Sequence, residues 1–305
     1  MRLRSAIEKV RGRHEDFKKN PLTSGRATRA LFRYLWINAR MHLLDQEVDL
    51  VVLDDIRCRV RKGDGVSGNY FFHLYEYQDS LFVLHYLRSG DCFVDVGANV
   101  GHYSLIAARK CEANVIAVEP VPRTFGRLVA NVELNGLGKA GAGRIATRNV
   151  GLSHSRGVLR FTTRFNVANR VTPGATPDSV EVEVLSLDEL CAGGPVDLLK
   201  IDVEGFEKHV LEGSQEQLDM GHLGAIIVEL NGSGRRYGIE DEEVIDLLKD
   251  RCYSPYRYDP FERELTPLEG ANREGYNTIF IKDIEGARAR VRSARMVPIV
   301  GQLAL

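Results

Sequence analysis

The chain has 305 residues, 44% of them apolar and 27% charged, with a formal net charge of −1. That length holds one large domain, or a core domain with an N-terminal appendage, and the composition is that of an ordinary soluble globular protein. The near-zero charge excludes bulk attraction to nucleic acid; five scattered cysteines, with no CxxC pair, exclude a zinc knuckle or a disulfide framework and fit a reducing cytoplasm.

In chain order, residues 1–40 carry eleven Lys and Arg against Glu8, Glu15 and Asp16. The bland reading of this charge run is a solvated or helical tail; the sharper one is peripheral contact with an anionic partner, a membrane surface or a charged substrate. Residues 1–25, broken by Asn20-Pro21, read as partly disordered. Apolar spacing at Leu31, Leu35, Trp36, Ala39 and Leu43 predicts a helix over 26–44. Short β-like runs follow at 49–53 and 56–61, then a turn at Gly63-Asp64-Gly65 and a helix over 74–87. No apolar run reaches the ~18 residues of a membrane span. The basic N-terminus also lacks the apolar stretch of a secretory leader, so no transmembrane segment is expected.

From residue 92 onward the pattern alternates. Strands are predicted at 92–96, 115–119, 145–150, 196–202 and 225–230, with helices at 101–110, 123–135, 204–219 and 240–250. Strands this apolar belong inside a sheet covered on both faces, and alternating βα units give a parallel sheet. Residues 157–163 and 179–187 read as a β excursion around Thr172-Pro173-Gly174, and 276–282 as a last strand antiparallel to one near 253–258. The stretch 286–296, with Arg288, Arg290, Arg292 and Arg295 and no acid, reads as a basic tail. The division expected is an appendage over 1–73, a core domain over 74–285 and a tail over 286–305.

The core opens with a strand that runs into a glycine turn, Phe93 through Gly101. Gly97 permits the tight turn and Gly101 the close packing of helix on strand. Asp95 could accept hydrogen bonds from turn amides or from a ligand's ammonium group. Asn99 occupies the place of the middle glycine in a dinucleotide fingerprint, where a side chain crowds a pyrophosphate. That favours a phosphate-free nucleoside such as S-adenosylmethionine (SAM). One strand later, Glu119 of Val118-Glu119-Pro120 lies 18 residues beyond Gly101. There a carboxylate can take both ribose hydroxyls and repel a 2′-phosphate; a solvated acid at a loop start is the alternative.

Lys200-Ile201-Asp202-Val203-Glu204-Gly205 is a buried strand ending in two carboxylates. Ligands of open α/β sheets bind at the carboxyl ends of the strands, so Asp202 and Glu204 should face the cleft of Gly97. Two readings stay open. Asp202 caps the following helix, with Glu204 and Glu207 favouring its dipole, or a carboxylate, Asp202 before Glu204, takes the proton of a methyl acceptor. Glu229 joins them if strands four and five pair. Three converging carboxylates are ligand chemistry for Mg²⁺, yet no histidine adjoins them and a required metal is not expected. His102 opens the helix after the turn and could reach the cleft mouth, a polar helix-start residue being the plainer reading. His73 is a weaker candidate base and His209 reads as structural. Tyr75, Glu76 and Tyr77 stand where a lid could close. Position alone thus adds Glu76, His102 and Asp202 to the candidate cofactor contacts.

Together these residues resemble the FkbM-type methyltransferases. The resemblance runs through DVGANVG (95–101), AVEPVP (117–122), NVELNG (131–136), LSLDEL (185–190), LLKIDVEGFEKHVLEG (198–213) and IIVEL (226–230), over roughly residues 74–282. It implies a Rossmann-like class I methyltransferase fold, a mostly parallel seven-stranded sheet whose last strand is antiparallel. It also implies SAM-dependent O-methylation of a small-molecule acceptor, a sugar or other natural product, releasing S-adenosylhomocysteine (SAH). By position, Asp95, Gly97, Asn99 and Gly101 would line the methionine moiety, Glu119 would hold the ribose, and Pro120, Asn149 and Val150 would frame the adenine. Gly151-Leu152 departs from the alanine-leucine common in the family. The competing readings are N-methylation of an amino sugar, a NAD-dependent oxidoreductase and a non-catalytic SAM-binding module. Asn99 and the antiparallel last strand argue against the oxidoreductase. A nucleic-acid substrate is not expected, for want of an NPPY-like tetrapeptide or a basic stripe.

Overall fold

A computed structural model describes residues 2–43, 46–61, 74, 76–138, 143–164, 169–275, 277–300 and 303–305. Contacts divide the chain into two units, residues 1–77 with 296–305, and residues 78–295. Gly63-Asp64-Gly65, His73 and Tyr75, singled out above, lie outside the described residues.

The first unit contains helices α1 (Arg2–Lys19) and α2 (Ala27–Leu43) and the antiparallel hairpin β1 (Val48–Val52) and β2 (Ile56–Val60). A short hairpin of Pro298–Val300 with Leu303–Ala304 also belongs to it. The partial disorder expected over 1–25 is corrected, because α1 fills most of that stretch. Phe17 is wholly buried and its ring meets Tyr34 of α2 edge-on. Arg13 lies over the Tyr34 ring, and the Thr23 hydroxyl donates to the Phe17 carbonyl at 2.7 Å. Packing on α2, more than intrinsic propensity, therefore holds this polar helix.

In the second unit, α3 (Tyr77–Tyr86) precedes β3 (Cys92–Val96), α4 (His102–Cys111), β4 (Asn114–Val118), α5 (Pro122–Leu134) and β5 (Ile145–Arg148). A small sheet follows, β6 (Gly151–Leu152), β7 (Gly157–Thr162) and β8 (Ser179–Leu185), in the order β6-β8-β7. After α6 (Leu187–Cys191) come β9 (Leu198–Ile201), α7 (Glu207–Glu212), α8 (Gln215–Asp219), β10 (Ala225–Glu229), α9 (Asp241–Lys249), β11 (Ser254–Asp259), β12 (Glu264–Pro267), β13 (Asn277–Ile281) and α10 (Ile284–Ser293).

The large sheet has the order β12-β11-β13-β10-β9-β3-β4-β5. The five strands from β10 to β5 pair in parallel, and β13 runs antiparallel to β10. This is the expected class I methyltransferase architecture with one strand more. The sheet has eight strands rather than seven, because Glu264–Pro267 buries Leu265 and pairs with β11 as an edge hairpin.

Two further expectations are corrected. The single helix over 204–219 is a loop followed by α7 and α8. The break falls at Gly213, where a Cβ would overlap the Ser153 carbonyl, and at Ser214, whose buried hydroxyl donates to the Val210 carbonyl at 2.7 Å. The basic run after 286 is not a free tail either. Asp283 caps α10 by accepting the Gly286 amide, Ala287 and Val291 are buried, and Arg290 donates to Asp91 at 2.5 Å.

One face of the sheet packs Val94, Leu199, Ile226, Val228 and Phe280 into a continuous apolar cluster with Val210, Leu211 and Leu248. Phe280 is wholly buried in β13, between β10 and β11. Phe280→Ala should lower stability by ~3–5 kcal/mol through lost transfer and a residual cavity. Urea unfolding would show this as an earlier midpoint with an unchanged slope.

Candidate active site

The chain turns back on itself between β3 and β9. From β3 the strands progress one way through β4 to β5; β9 then returns to the other side of β3. Loops on either side of such a switch point diverge and leave a crevice at the carboxyl ends of the strands. Gly97 and Asp202 are the first residues beyond β3 and β9. They meet there. The Asp202 amide donates to the Val96 carbonyl at 3.0 Å, and a Cβ on Gly97 (φ +81°) would overlap the Asp202 carbonyl. Glycine at 97 is thus required both by its left-handed backbone and by the approach of the neighbouring loop. Gly101 (φ +96°) is required likewise, since a Cβ would lie 2.8 Å from Leu128 Cδ1.

Asn99 adopts φ +52°, a conformation that asparagine tolerates better than most residues. Its amide donates to Glu119 Oε2 at 3.1 Å, while Glu119 Oε1 accepts the Val121 amide at 3.0 Å. Glu119 therefore ties the glycine turn to the start of α5. Burial pushes its carboxyl up to about 7, against the pull of those two amides. The Asn149 side chain donates to the carbonyls of Glu119 and Pro120 at 2.9 and 3.0 Å, which fixes the exit of β4. Val150 is half-buried against the core cluster. Gly97, Asn99, Glu119, Pro120, Asn149 and Asp202 are thus one connected group at the strand tips.

Asp95 and His102 turn away from the turn they flank. Asp95 is buried beneath α4, where Oδ2 accepts the Ser104 amide at 3.1 Å and its hydroxyl at 2.6 Å. It anchors the first turn of the helix rather than the amides of the glycine turn. Nε2 of His102 lies 2.8 Å from the Ser80 hydroxyl, and the ring is 4% exposed. Burial, and after it the charge of Lys200, pushes this imidazole down to about 3, so it stays neutral inside the protein and does not reach the cleft mouth. Glu76 falls in the first unit, half-buried, with φ +38°.

β9 carries the one element that its motif did not disclose. Lys200 is 2% exposed, and its Nζ donates to Asp202 Oδ2 at 2.7 Å while lying over the Tyr103 ring at 4.7 Å. The register sets Asp95 of β3 opposite Lys200 on one side and Ile227 of β10 on the other. A lysine inside an otherwise apolar strand was the sequence signal for this centre, since a buried cation demands an acid beside it. Asp202 Oδ1 takes no hydrogen bond among the described residues.

Asp202 does not cap a helix. Residues 202–206 form a loop, and the cap position before α7 is held by Phe206, which makes no side-chain cap. The loop is strained at Glu204 (φ +59°) and uses Gly205 (φ +103°) to pass close to the Ser233 carbonyl. Glu207, expected beside Glu204 on a helix face, is instead buried under the loop and accepts the amides of Val203 and Gly205 at 3.2 and 3.0 Å. Glu204 is half-buried; burial and the Asp202 charge raise its pKa, and Arg236 and Arg170 oppose the rise.

Glu229 completes the cluster from the end of β10. Its Oε2 is buried without a hydrogen-bond partner among the described residues. Burial first, then the charges of Asp202 and Glu204, push this carboxyl far above the usual carboxylate range. No group of three or more His, Cys, Asp or Glu among the described residues has the arrangement to hold a metal ion. The Lys200 ammonium stands among these acids as their cation.

With this geometry in place, the comparisons decide the family. The model of the methyltransferase FkbM domain matches residues 95–255, from Asp95 at the end of β3 into β11. The chain belongs to the FkbM methyltransferase family. It is 33% identical over 163 residues to the hexuronic acid methyltransferase AglP of Haloferax volcanii, a match that spans 52% of this chain and 62% of that protein. It is 29% identical to methyltransferase sdnD of Sordaria araneosa over 215 residues, 58% of this chain and 82% of the relative. The 31-O-demethyl-FK506 methyltransferase FkbM of Streptomyces tacrolimicus is 27% identical over 206 residues, 55% and 74% of the two chains. Gly151 sits where the packing is close. A Cβ there would lie 2.9 Å from both Phe161 and Val184, side chains that fill the small sheet.

The buried acids also set a pH dependence. Glu119, Glu207 and Glu229 all have folded-state pKa values above the ordinary 4.5, with Glu119 and Glu207 near 7. Each takes up a proton on folding, so its contribution to stability is complete below pH 4.5 and is lost as pH rises through the folded value. The ligand-free protein should therefore have a higher urea midpoint at pH 5.5 than at pH 8. Glu229→Gln, which makes the neutral form permanent, should flatten that slope and raise the midpoint at pH 8. Parallel slopes for the two proteins would assign the dependence to other groups.

Proposed function

We propose that this FkbM-family chain transfers the methyl group of SAM to a hydroxyl of a sugar or of a sugar-bearing natural product. One observation carries the reading. The Asp202 side chain, steadied by buried Lys200 on one oxygen, has its other oxygen without a hydrogen bond among the described residues, on a residue whose backbone packs against the Gly97 turn. The hexuronic acid and FK506 methyltransferases among its relatives support a hydroxyl-rich acceptor.

The donor set at the crevice suits SAM. Glu119 accepts one main-chain amide on each oxygen and retains a lone pair on each, which two ribose hydroxyls can use. The Gly97 turn keeps side-chain bulk from the methionine end, and Asn99 and Gly101 hold that turn's left-handed backbone. Pro120, Asn149 and Val150 would border the adenine, in a wall that the Asn149 bonds keep rigid. When bound, SAM supplies a sulfonium methyl that is open to in-line attack.

The protein's own contribution is alignment and a place for a proton. In-line transfer gains most from holding the two centres in register. As the new O–CH₃ bond forms and the S–CH₃ bond breaks, the acceptor's proton passes to Asp202, leaving the methyl ether and SAH. The Lys200 ammonium, 2.7 Å from Asp202 Oδ2, holds that side chain in one orientation. Glu204, on the strained loop, borders the acceptor side and is the second candidate for the proton.

Calorimetry should show one SAH bound per chain and no heat with NAD; NAD binding without SAH binding would end the reading. Glu119→Ala should weaken SAH binding by ~1–3 kcal/mol, the loss of hydrogen bonds to a charged acceptor. Asp202→Asn keeps an oxygen for Lys200 and removes the basicity. Methyl transfer to a panel of hexuronic acid glycosides should fall ~10²–10⁴-fold, with SAH affinity retained. Unchanged turnover in that variant would move the assignment to Glu204.

A further inference from the structure

The first unit presents its apolar side chains outward. On α2 the buried positions are small or central, Ala27, Ala30, Ile37 and Met41. The exposed ones include Phe32 at 69%, Trp36 at 59% and Leu35 at 38%. Phe32, Leu35 and Trp36 are spaced i, i+3 and i+4, so they form one protruding ridge. Val51, 51% exposed on the outer face of β1, adds to it across a groove of about 580 Å³ whose polar and aromatic lining is Arg33, Trp36, Arg40, Glu47, Asp49 and Arg59.

Around this ridge cations outnumber acids, with Glu47 and Asp49 at the β1 side of the groove and Asp49 paired with Arg59 at 2.7 Å. From Pro21 to Leu44 the chain carries Arg26, Arg29, Arg33 and Arg40 and no acid. Burial, and after it the charge of Arg29, pulls the Arg33 guanidinium below its ordinary value. Arg40 lies over the Trp36 ring at 4.9 Å, so its aliphatic stem covers the indole while its head stays at the rim. A helix of 17 residues with an aromatic and aliphatic crest and an arginine border is too short and too charged to span a bilayer. It has the make-up of a helix that lies in the interface plane.

We propose that this face of α2, with Val51 of β1, docks on an anionic lipid surface. Phe32, Leu35 and Trp36 enter the headgroup–acyl boundary, and Arg29, Arg33 and Arg40 meet the lipid phosphates. The aliphatic members of the crest favour lipid over nucleic acid, whose backbone calls on the cations and whose bases stack only on the aromatic rings.

Trp36 is the only tryptophan of the chain, so it reports on its own docking. The full chain is titrated with vesicles of equal parts phosphatidylglycerol and phosphatidylcholine, and with vesicles of phosphatidylcholine alone. The emission should shift to the blue with the anionic vesicles only, and raised salt should reverse the shift. Co-sedimentation with Arg29→Gln and Arg33→Gln should show partition weakened about fivefold for each arginine, the equivalent of about 1 kcal/mol. The double variant Phe32→Ser, Leu35→Ser should lose the blue shift while keeping the wild-type circular dichroism spectrum. Unchanged emission with anionic vesicles overturns the proposal. So does an equal shift with neutral vesicles or with single-stranded DNA. A blue shift that grows with protein concentration alone, with a dimer mass by light scattering, would assign the face to a second copy.

Discussion

The geometry of this site depends on an ammonium group placed where ammonium groups are costly. Lys200 is almost fully buried in the central strand β9, where an unpaired cation could not persist. Asp202 answers it directly, Asp95 lies opposite it in register, and Glu229 approaches from the next strand. One cation cannot neutralise three carboxylates. Burial raises both Asp95 and Glu229, while Asp202 has the ion pair. Environment, rather than residue type, sorts chemically similar carboxyls into different tasks.

That arrangement also explains the backbone around it. Placing Asp202 beside the β3 turn requires a residue without a Cβ at 97, and turning the chain after Asp202 requires positive φ at both Glu204 and Gly205. The strain of Glu204 is held by a buried acid, since Glu207 collects the loop amides from beneath. Backbone strain of this kind persists only where the surroundings over-determine it, and such places cluster at functional sites. Neither Asp202 nor Glu204 occupies the cap position of α7, which falls to Phe206.

Much of this was legible in the residues, and what was not has physical causes. Apolar strands separated by amphipathic helices gave the parallel sheet, and Glu119 after Val118 marked a strand tip whatever ligand it serves. Pairing across the sheet is a long-range property, so the edge strand Glu264–Pro267 left no local trace beyond one buried leucine. Asp95 and His102 sit at cleft-like positions in the chain, yet their side chains point under α4, a direction that spacing alone does not fix. Charge runs misled in both terminal stretches. α1 is stabilised by burying Phe17 on α2, and α10 by burying Val291 and pairing Arg290 with Asp91, contacts between residues far apart in sequence. Lys200 was in plain view inside its motif; a cation in a buried strand should be read as a demand for acids around it.

One buried cation serves more carboxyls than it can neutralise, and Glu229 is the one held uncharged. Carbon-detected NMR of the ¹³C-labelled side-chain carboxyls, assigned with Glu229→Gln, tests this directly in the ligand-free protein. The account predicts that the Glu229 carboxyl keeps the chemical shift of a protonated acid at pH 7 and titrates only well into the alkaline range. A Glu229 carboxyl that titrates near the ordinary 4.5, with no dependence on Lys200, would contradict it.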